Sequence, residues 1–255
     1  MREHTVAVTQ VAQHQWHALE DDQVVGRGDA TRRPDGRLFL SIDSWHDAVF
    51  NHLAETMLAH LPKPLYTVVD DADLDLTAGW ERVGFTTRRR EWEYLVPTDP
   101  RVTGLHSGPP PGVTIVPVGE AAQGPLRDLD RAIRDEVEST VGWQAMPAEV
   151  LPRPAGTTLV DPLKYAVAAE SDRYVGLVRL AAVVRQPRIG LIAVRAGHHR
   201  RGIARALLTH VLGSLHHSGI ETASADVNEA NKAAMALFDG VGARPASSNL
   251  ELVLR

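Results

Sequence analysis

Apolar positions at Ile203, Leu207, Leu208, Val211, Leu212 and Leu215 fall three and four residues apart, the spacing of one helix face. They predict a helix over 203–217, closed by Ser218-Gly219. An apolar strand is expected before it at 189–194, and a further strand after it at 221–227. Leu126, Leu129, Ile133 and Val137 mark a helix over 121–139, and 231–240 reads as a short helix. Strands are expected at 113–116, 165–169 and 174–184, the last two joined by the polar turn 170–173, and at 250–254. The stretch 143–163 is proline-rich and lacks a period.

The first hundred residues run through a similar order. Strands are predicted at 16–20, 24–32 and 38–42, a helix at 48–60, a strand at 65–69, a helix at 75–83 and a strand at 90–96. The hairpins ending at Gly26 and Gly176 align at an offset of 150, and the segments around Gly84 and Gly242 at 158. This is the signature of an internal repeat whose first copy is the shorter. Between the copies, residues 96–115 hold five prolines and three glycines without apolar periodicity. The triplet Pro109-Pro110-Pro111 favours a stiff, extended connector. The expected division is therefore a domain over 1–99, a linker over 100–111 and a domain over 112–255. The alternation of strands and helices makes the fold class α/β, a mixed sheet flanked by helices in each half.

With 27 Lys and Arg against 32 Asp and Glu, the chain is mildly acidic and offers no general basic footprint for nucleic acid. No run of about 18 apolar residues is present, so no membrane partner is expected. The N-terminus lacks the apolar core of a secretory signal, and a cytoplasmic location is the default. The absence of cysteine removes disulfides, thiolate metal ligands and a cysteine nucleophile.

Chemistry concentrates where the 189–194 strand turns into the 203–217 helix. Unpaired N–H groups at a helix start, with the helix dipole, favour an anion. Gly202 lets a ligand approach the backbone closely, and His199, Arg200, Arg201 and Arg205 add positive charge. Neither GxxxxGK[ST] nor a GxGxxG after a strand occurs, which argues against ATP and NAD.

The turn His199-Arg-Arg-Gly202-Ile-Ala204 resembles the Q/R-x-x-G-x-G/A signature of the GNAT acyltransferase superfamily, with His in the first place. Asn231, Ala234, Leu237 and Gly242 fall in register with that family's N-x-x-A-x-x-L-Y-x-x-x-G-F. The resemblance covers about 112–255 and, more weakly, 5–99 as a degenerate second copy. It implies a tandem GNAT fold with acetyl-CoA as acyl donor. The backbone of Ile192, Ala193 and Val194 would pair with the pantetheine arm. The N–H groups of 199–204, including Ile203, would hold the diphosphate, and Asn231 would touch the pantetheine. The first copy, running through Asp43-Ser44-Trp45-His46 into its helix, lacks such a turn and would shape or cover the acceptor site.

An amine acceptor must shed a proton before it attacks, since an ammonium has no lone pair. Many members of the family carry a tyrosine that protonates the departing thiolate where this chain has Phe238, and several have a strand glutamate that 189–194 lacks. Asp226, Glu136 and Glu138 are the candidate bases or amine-recognition groups, each also readable as a helix-face or turn carboxylate. Tyr165 and Tyr174 are alternative acids, and Trp143 a candidate lining residue. His216 and His217 suit a helix end, where imidazole complements the dipole, and Arg88–Arg90 read as a solvated strand end. The expected activity is acetyl transfer to a primary amine of a small molecule or to an amino terminus, by a monomer or homodimer. The rival is a non-catalytic acyl-CoA-binding or structural relative.

Overall fold

The computed structural model describes residues 6–151, 160–181 and 186–255. The first elements are β1 (Ala7–Ala12), β2 (Gln15–Glu20), β3 (Gln23–Arg32), β4 (Leu38–Ser44) and α1 (Asp47–His60). Then come β5 (Leu65–Asp70), α2 (Leu74–Arg82), β6 (Thr86–Pro97) and a single helical turn, α3 (Pro100–Thr103). Next are β7 (Val113–Val116), α4 (Gln123–Ser139), β8 (Tyr165–Glu170), β9 (Arg173–Ala181) and β10 (Arg188–Val194). The chain closes with α5 (Ile203–His217), β11 (Thr222–Asn228), α6 (Lys232–Asp239) and β12 (Arg244–Leu254). No helix among the described residues is long and apolar enough to cross a membrane.

Most predicted elements form within a residue or two of their expected bounds. The strand expected over 174–184 is seen to Ala181; positions 182–184 lie outside the described residues. β1 was not anticipated, because most of its side chains are exposed and no alternation marks it. α3 lies inside the expected linker, where Asp99 accepts from Arg101 N–H and Gly104, at φ 64°, ends the turn. β12 begins six residues before the expected start, its first half being polar and largely exposed.

The chain packs as two compact units, Met1–Arg90 with Ser248–Arg255, and Glu91–Ser247. The expected division at 100–111 follows the linker; packing instead passes from one unit to the other within β6 and back within β12. Side chains decide this. Leu250 and Leu252 join the core of Trp16, Leu53, Met57, Leu65 and Trp80, while Tyr94 and Val96 join that of Leu207, Leu208 and Phe238.

In the first unit the sheet order is β1-β2-β3-β4-β5-β12, with only β4 and β5 parallel, and α1 and α2 pack over it. In the second the order is β6-β11-β10-β9-β8-β7, with only β10 and β11 parallel among the described residues. Alternate residues of its strands serve opposite faces. Ala166, Ala168 and Val178 pack with α5, whereas Tyr165, Val167 and Leu177 pack with Leu126, Leu129 and Ile133 of α4.

The units share details. A Cβ on Gly26 would come within 2.7 Å of Val49 at the start of α1, and one on Gly176 within 3.2 Å of Ile203 at the start of α5. Each glycine lets a strand lie close beneath the first turn of a helix. Phe85 N–H donates to Trp80 C=O and Ala243 N–H to Phe238 C=O, both at 3.1 Å, around Gly84 and Gly242 in left-handed conformations.

Candidate functional site

β10 and β11 pair at Arg188↔Ser224 and at no further position among the described residues. Beyond that point they separate, so the β11-facing edge of β10 from Gly190 onward is left outside the ladder. A bulge falls in the same place: Ile189 opposes Leu180 and Leu191 opposes Arg179, with Gly190 skipped. A bulge bends its strand and re-aims the following groups. The gap is lined by Met146, Pro147, Ile189–Ile192, Asp226, Val227, Asn231, Ala234 and Phe238, and holds a cavity of about 40 Å³.

The end of β10 leads into a tightly wound turn. Arg195 N–H donates to Val175 C=O at 2.8 Å, and a 3-10 turn follows over Ala196–His198. Arg200 (φ 58°) and Gly202 (φ 84°) are both left-handed, and Gly202 caps α5 without any side-chain hydrogen bond. Backbone N–H groups in such an alternation form an anion-binding concavity at the positive end of the helix. Val194, His198–Arg200 and Gly202–Arg205 line a cavity of about 410 Å³ here. A second cavity of about 310 Å³ also adjoins Gly202, walled by Gly104, Leu105, Ser107, Gly108 and Pro110 and by Arg205 and Thr209.

The cationic side chains divide by partner. His199 donates from Nε2 to Val194 C=O at 2.7 Å, folding its ring against the strand end. Arg201 reaches Glu170, which His198 also meets at 3.1 Å. Hydrogen bonds from Arg201 foremost hold the Glu170 carboxyl below its ordinary range. Arg205 donates to Gly240 C=O at 3.4 Å. Arg200 is exposed and makes no ion pair among the described residues, so its charge is the one most available to a ligand. A depression of about 590 Å³ lies in the first unit, lined by Asp70 and Ala72–Asp75. Its carboxylates cap local turns and would repel a diphosphate.

The three candidate bases have separate surroundings. Asp226 lines the strand gap and receives Arg188 Nη1 at 3.3 Å. Glu136, near the end of α4, accepts from Arg195 Nε at 2.6 Å and from Ala196 N–H at 2.9 Å. Burial alone would raise its carboxyl, but those hydrogen bonds with the charges of Arg195 and His199 hold it below the ordinary range. Glu138 is exposed on the last turn of the same helix. Asn231 caps α6, accepting from Ala234 N–H at 3.0 Å, with its amide nitrogen 3.8 Å from the Met146 sulfur. Phe238 is buried against Tyr94, ring centroids 6.0 Å apart. Burial, and then the charge of and hydrogen bond with Asp239, push the Tyr94 hydroxyl up.

The remaining expectations resolve into packing. The Tyr174 hydroxyl accepts from Ala122 N–H at 3.0 Å at the start of α4, and Tyr165 is buried, its hydroxyl raised chiefly by desolvation. Trp143 lies 5.7 Å from the Arg134 guanidinium. His217 Nδ1 is 2.6 Å from Gly213 C=O. Arg88 and Arg89 are not a solvated strand end: both bind buried Glu251, which also takes Arg37 at 2.8 Å. Several contributors were not foreseen. Gly190 makes the bulge, Met146 and Pro147 border the gap, and Asn228 and Glu91 pin the loop beside it through Gln144 C=O and Ala148 N–H. Of these, only the glycine within a strand leaves a signal in sequence.

In the first unit β4 and β5 likewise pair only at Leu38↔Leu65 and Phe39↔Tyr66. There the strand passes through Trp45, 89% exposed, to His46 at the start of α1, and no residue from Asp43 to Asp47 has positive φ.

Residues 130–243 match the profile of the acetyltransferase (GNAT) family. No curated protein matches the chain significantly by sequence. Among solved structures, it is similar to a GCN5-related N-acetyltransferase from Sphaerobacter thermophilus, at 16% identity and a TM-score of 0.64, covering 96% of this chain and 82% of that one. A tandem GNAT protein from the clavulanic acid biosynthesis pathway is similar at 15% identity and a TM-score of 0.62, covering 94% and 82%. A GCN5-related N-acetyltransferase from Kribbella flavida follows at 14% and 0.60, covering 98% and 89%. At these identities the structural likeness speaks for fold alone: the chain has a GNAT fold, and its residues 130–243 match the acetyltransferase (GNAT) family profile.

Proposed function

We propose that the protein is an acetyl-CoA-dependent N-acetyltransferase acting on a primary amine of a small molecule or an amino terminus. The observation that carries this reading is the open edge of β10 leading, past the Gly190 bulge, into the uncapped left-handed turn at Arg200–Gly202. An extended amide-bearing arm can pair with the backbone of Ile192, Ala193 and Val194. The N–H groups of 199–204, including Ile203 and Ala204, together with Arg200 and Arg205, suit the diphosphate. Arg201 acts through Glu170, and His199 braces the strand end. Asn231 and Phe238 border the inner end of the arm's path.

Acetyl-CoA supplies the activated acyl thioester. The chain's own part is to hold the reacting groups together, to offer N–H donors where negative charge develops, and to remove the amine proton. Asp226 borders the gap beside the Arg188 guanidinium, and in this reading it takes that proton through water. Glu138 is exposed at the end of α4, where it can attract a cationic acceptor. The first unit, whose equivalent turn has no left-handed residue, is read as a degenerate copy without a carrier site.

One observation favours the rival of an acyl-CoA binder without turnover: Phe238 offers no hydroxyl, and that of neighbouring Tyr94 is engaged by Asp239. Thiols ionise near pH 8.5, so departure without a dedicated acid slows the reaction more than it forbids it. Calorimetry with acetyl-CoA tests the reading, with Gly202→Glu as the control. Micromolar binding lost in the variant, followed by amine-dependent release of coenzyme A, is the expected result. Binding without release for any amine would favour the rival; no binding by folded wild type would end both.

A further inference from the structure

Glu136 spans two elements whose alignment the carrier site needs. It projects from the last turns of α4, and its two oxygens divide their work. One takes the Arg195 guanidinium at 2.6 Å, the other Ala196 N–H at 2.9 Å. Arg195 and Ala196 are the first residues after β10, where the backbone leaves the strand and begins to wind toward Arg200 and Gly202. Arg195 is held from its other side as well, its N–H donating to Val175 C=O at 2.8 Å. Two residues are thus fixed by β9 and α4 immediately before the left-handed turn.

Charge-assisted hydrogen bonds are the strong ones, and a carboxylate bridging a guanidinium and a backbone N–H fixes direction as well as distance. Neither Glu136 nor the two residues it holds is among those lining the 410 Å³ cavity, which opens among Val194, His198–Arg200 and Gly202–Arg205. A carboxylate committed to two donors in this way is poorly suited to taking a proton from an amine.

Resting on the acyl-CoA reading above, we infer that Glu136 is a positioning residue for the diphosphate turn, acting through Arg195 and Ala196 rather than as a base. It ties α4 to the entry of the turn, so that the N–H groups of 199–204 are already aligned before the donor arrives. Preorganisation of this kind tightens binding by reducing the ordering that binding must impose.

The test compares acetyl-CoA with S-acetyl-pantetheine, which has the same thioester and arm but no diphosphate. Glu136→Ala should weaken acetyl-CoA binding about tenfold or more, the size expected for losing hydrogen bonds to a charged group. It should leave S-acetyl-pantetheine affinity unchanged. Glu136→Gln keeps an acceptor for Ala196 N–H and should recover part of the loss. Amide exchange over 195–202 should quicken in the alanine variant without acceleration in α5. Should Glu136→Ala not fold, Arg195→Gln severs the guanidinium link from the opposite side and should show the same ligand selectivity. Unchanged acetyl-CoA affinity with lost turnover would overturn the inference and return Glu136 to a proton-transfer role. Equal weakening of both ligands would overturn it in favour of a general packing role. If wild type itself binds no acetyl-CoA, the underlying reading fails first and this inference with it.

Discussion

The carboxylates around the turn differ in what their surroundings leave them able to do. Glu136, held below its usual 4.5, is preferred in its ionised form by the folded state. A lowered value places its stabilising contribution above the ordinary carboxylate range, to be lost as pH falls through the folded-state value. The melting-temperature difference between wild type and Glu136→Gln should therefore stay constant from about pH 8 to 5.5 and shrink in more acidic buffer. A difference that changes across neutral pH would point to another titrating group. Phe238 poses a separate question, since its ring stands where the gap between the strands ends. If departure of the thiolate limits turnover, Phe238→Tyr should raise kcat, by about tenfold given the modest acid assistance a thiol needs. Coenzyme A release measured against a fixed amine decides it; an unchanged rate would place the slow step elsewhere.

Among the elements, the most informative junction is where β9, β10 and α5 meet. A Cβ at Gly176 would press on Ile203 and Val194 side chains at 3.2 Å and on Ala193 C=O at 3.3 Å. Gly176→Ala should thus cost about 1–3 kcal/mol of stability, the range for overpacking a filled site. It should also weaken donor binding, because Ile203 is the first residue of α5; chemical denaturation and calorimetry read the two effects separately. Wild-type stability in this variant would mean the neighbours shift freely. Much of this junction was legible in sequence. The apolar stripe of 203–217 gave α5 to the residue, and Gly202 is the left-handed residue at its start. Divergence of β10 from β11 was not legible, since it depends on where a ladder stops, which residue type does not encode. Gly190 carried a hint that the apolar run around it obscured. Glu136 looked like one more carboxylate on a helix face, because its partners lie 59 and 60 positions away. Tertiary pairing of that kind leaves no periodic trace. Polar β12 residues such as Ser248 are strand because Asp71 is there to meet them, at 2.7 Å, and no propensity predicts that.

For the molecule as a whole, the exchange of strand ends governs how its parts can be separated. The first unit is completed by Ser248–Arg255, whose Leu250 and Leu252 sit in its core and whose Glu251 collects Arg37, Arg88 and Arg89. Removing residues 248–255 should take Glu251 from those guanidiniums and leave a core layer missing, a mechanism that costs several kcal/mol, roughly 3–5 for the broken charge cluster alone. Limited proteolysis of the truncated chain should cut within 6–90, and the buried Trp16 and Trp80 should report exposure by red-shifted fluorescence. Resistance equal to the full chain would show that the first unit closes without its final strand. The same exchange sets a timetable for biosynthesis. A ribosome makes residues 6–90 long before it makes the strand that completes their sheet, so β5 must wait, with the Val68 and Thr67 backbone unmatched, until residues 248–255 have been made. The first unit thus starts to emerge before the second and cannot finish before it, which makes the interval between those two moments the one in which a nascent chain would most need a chaperone's cover.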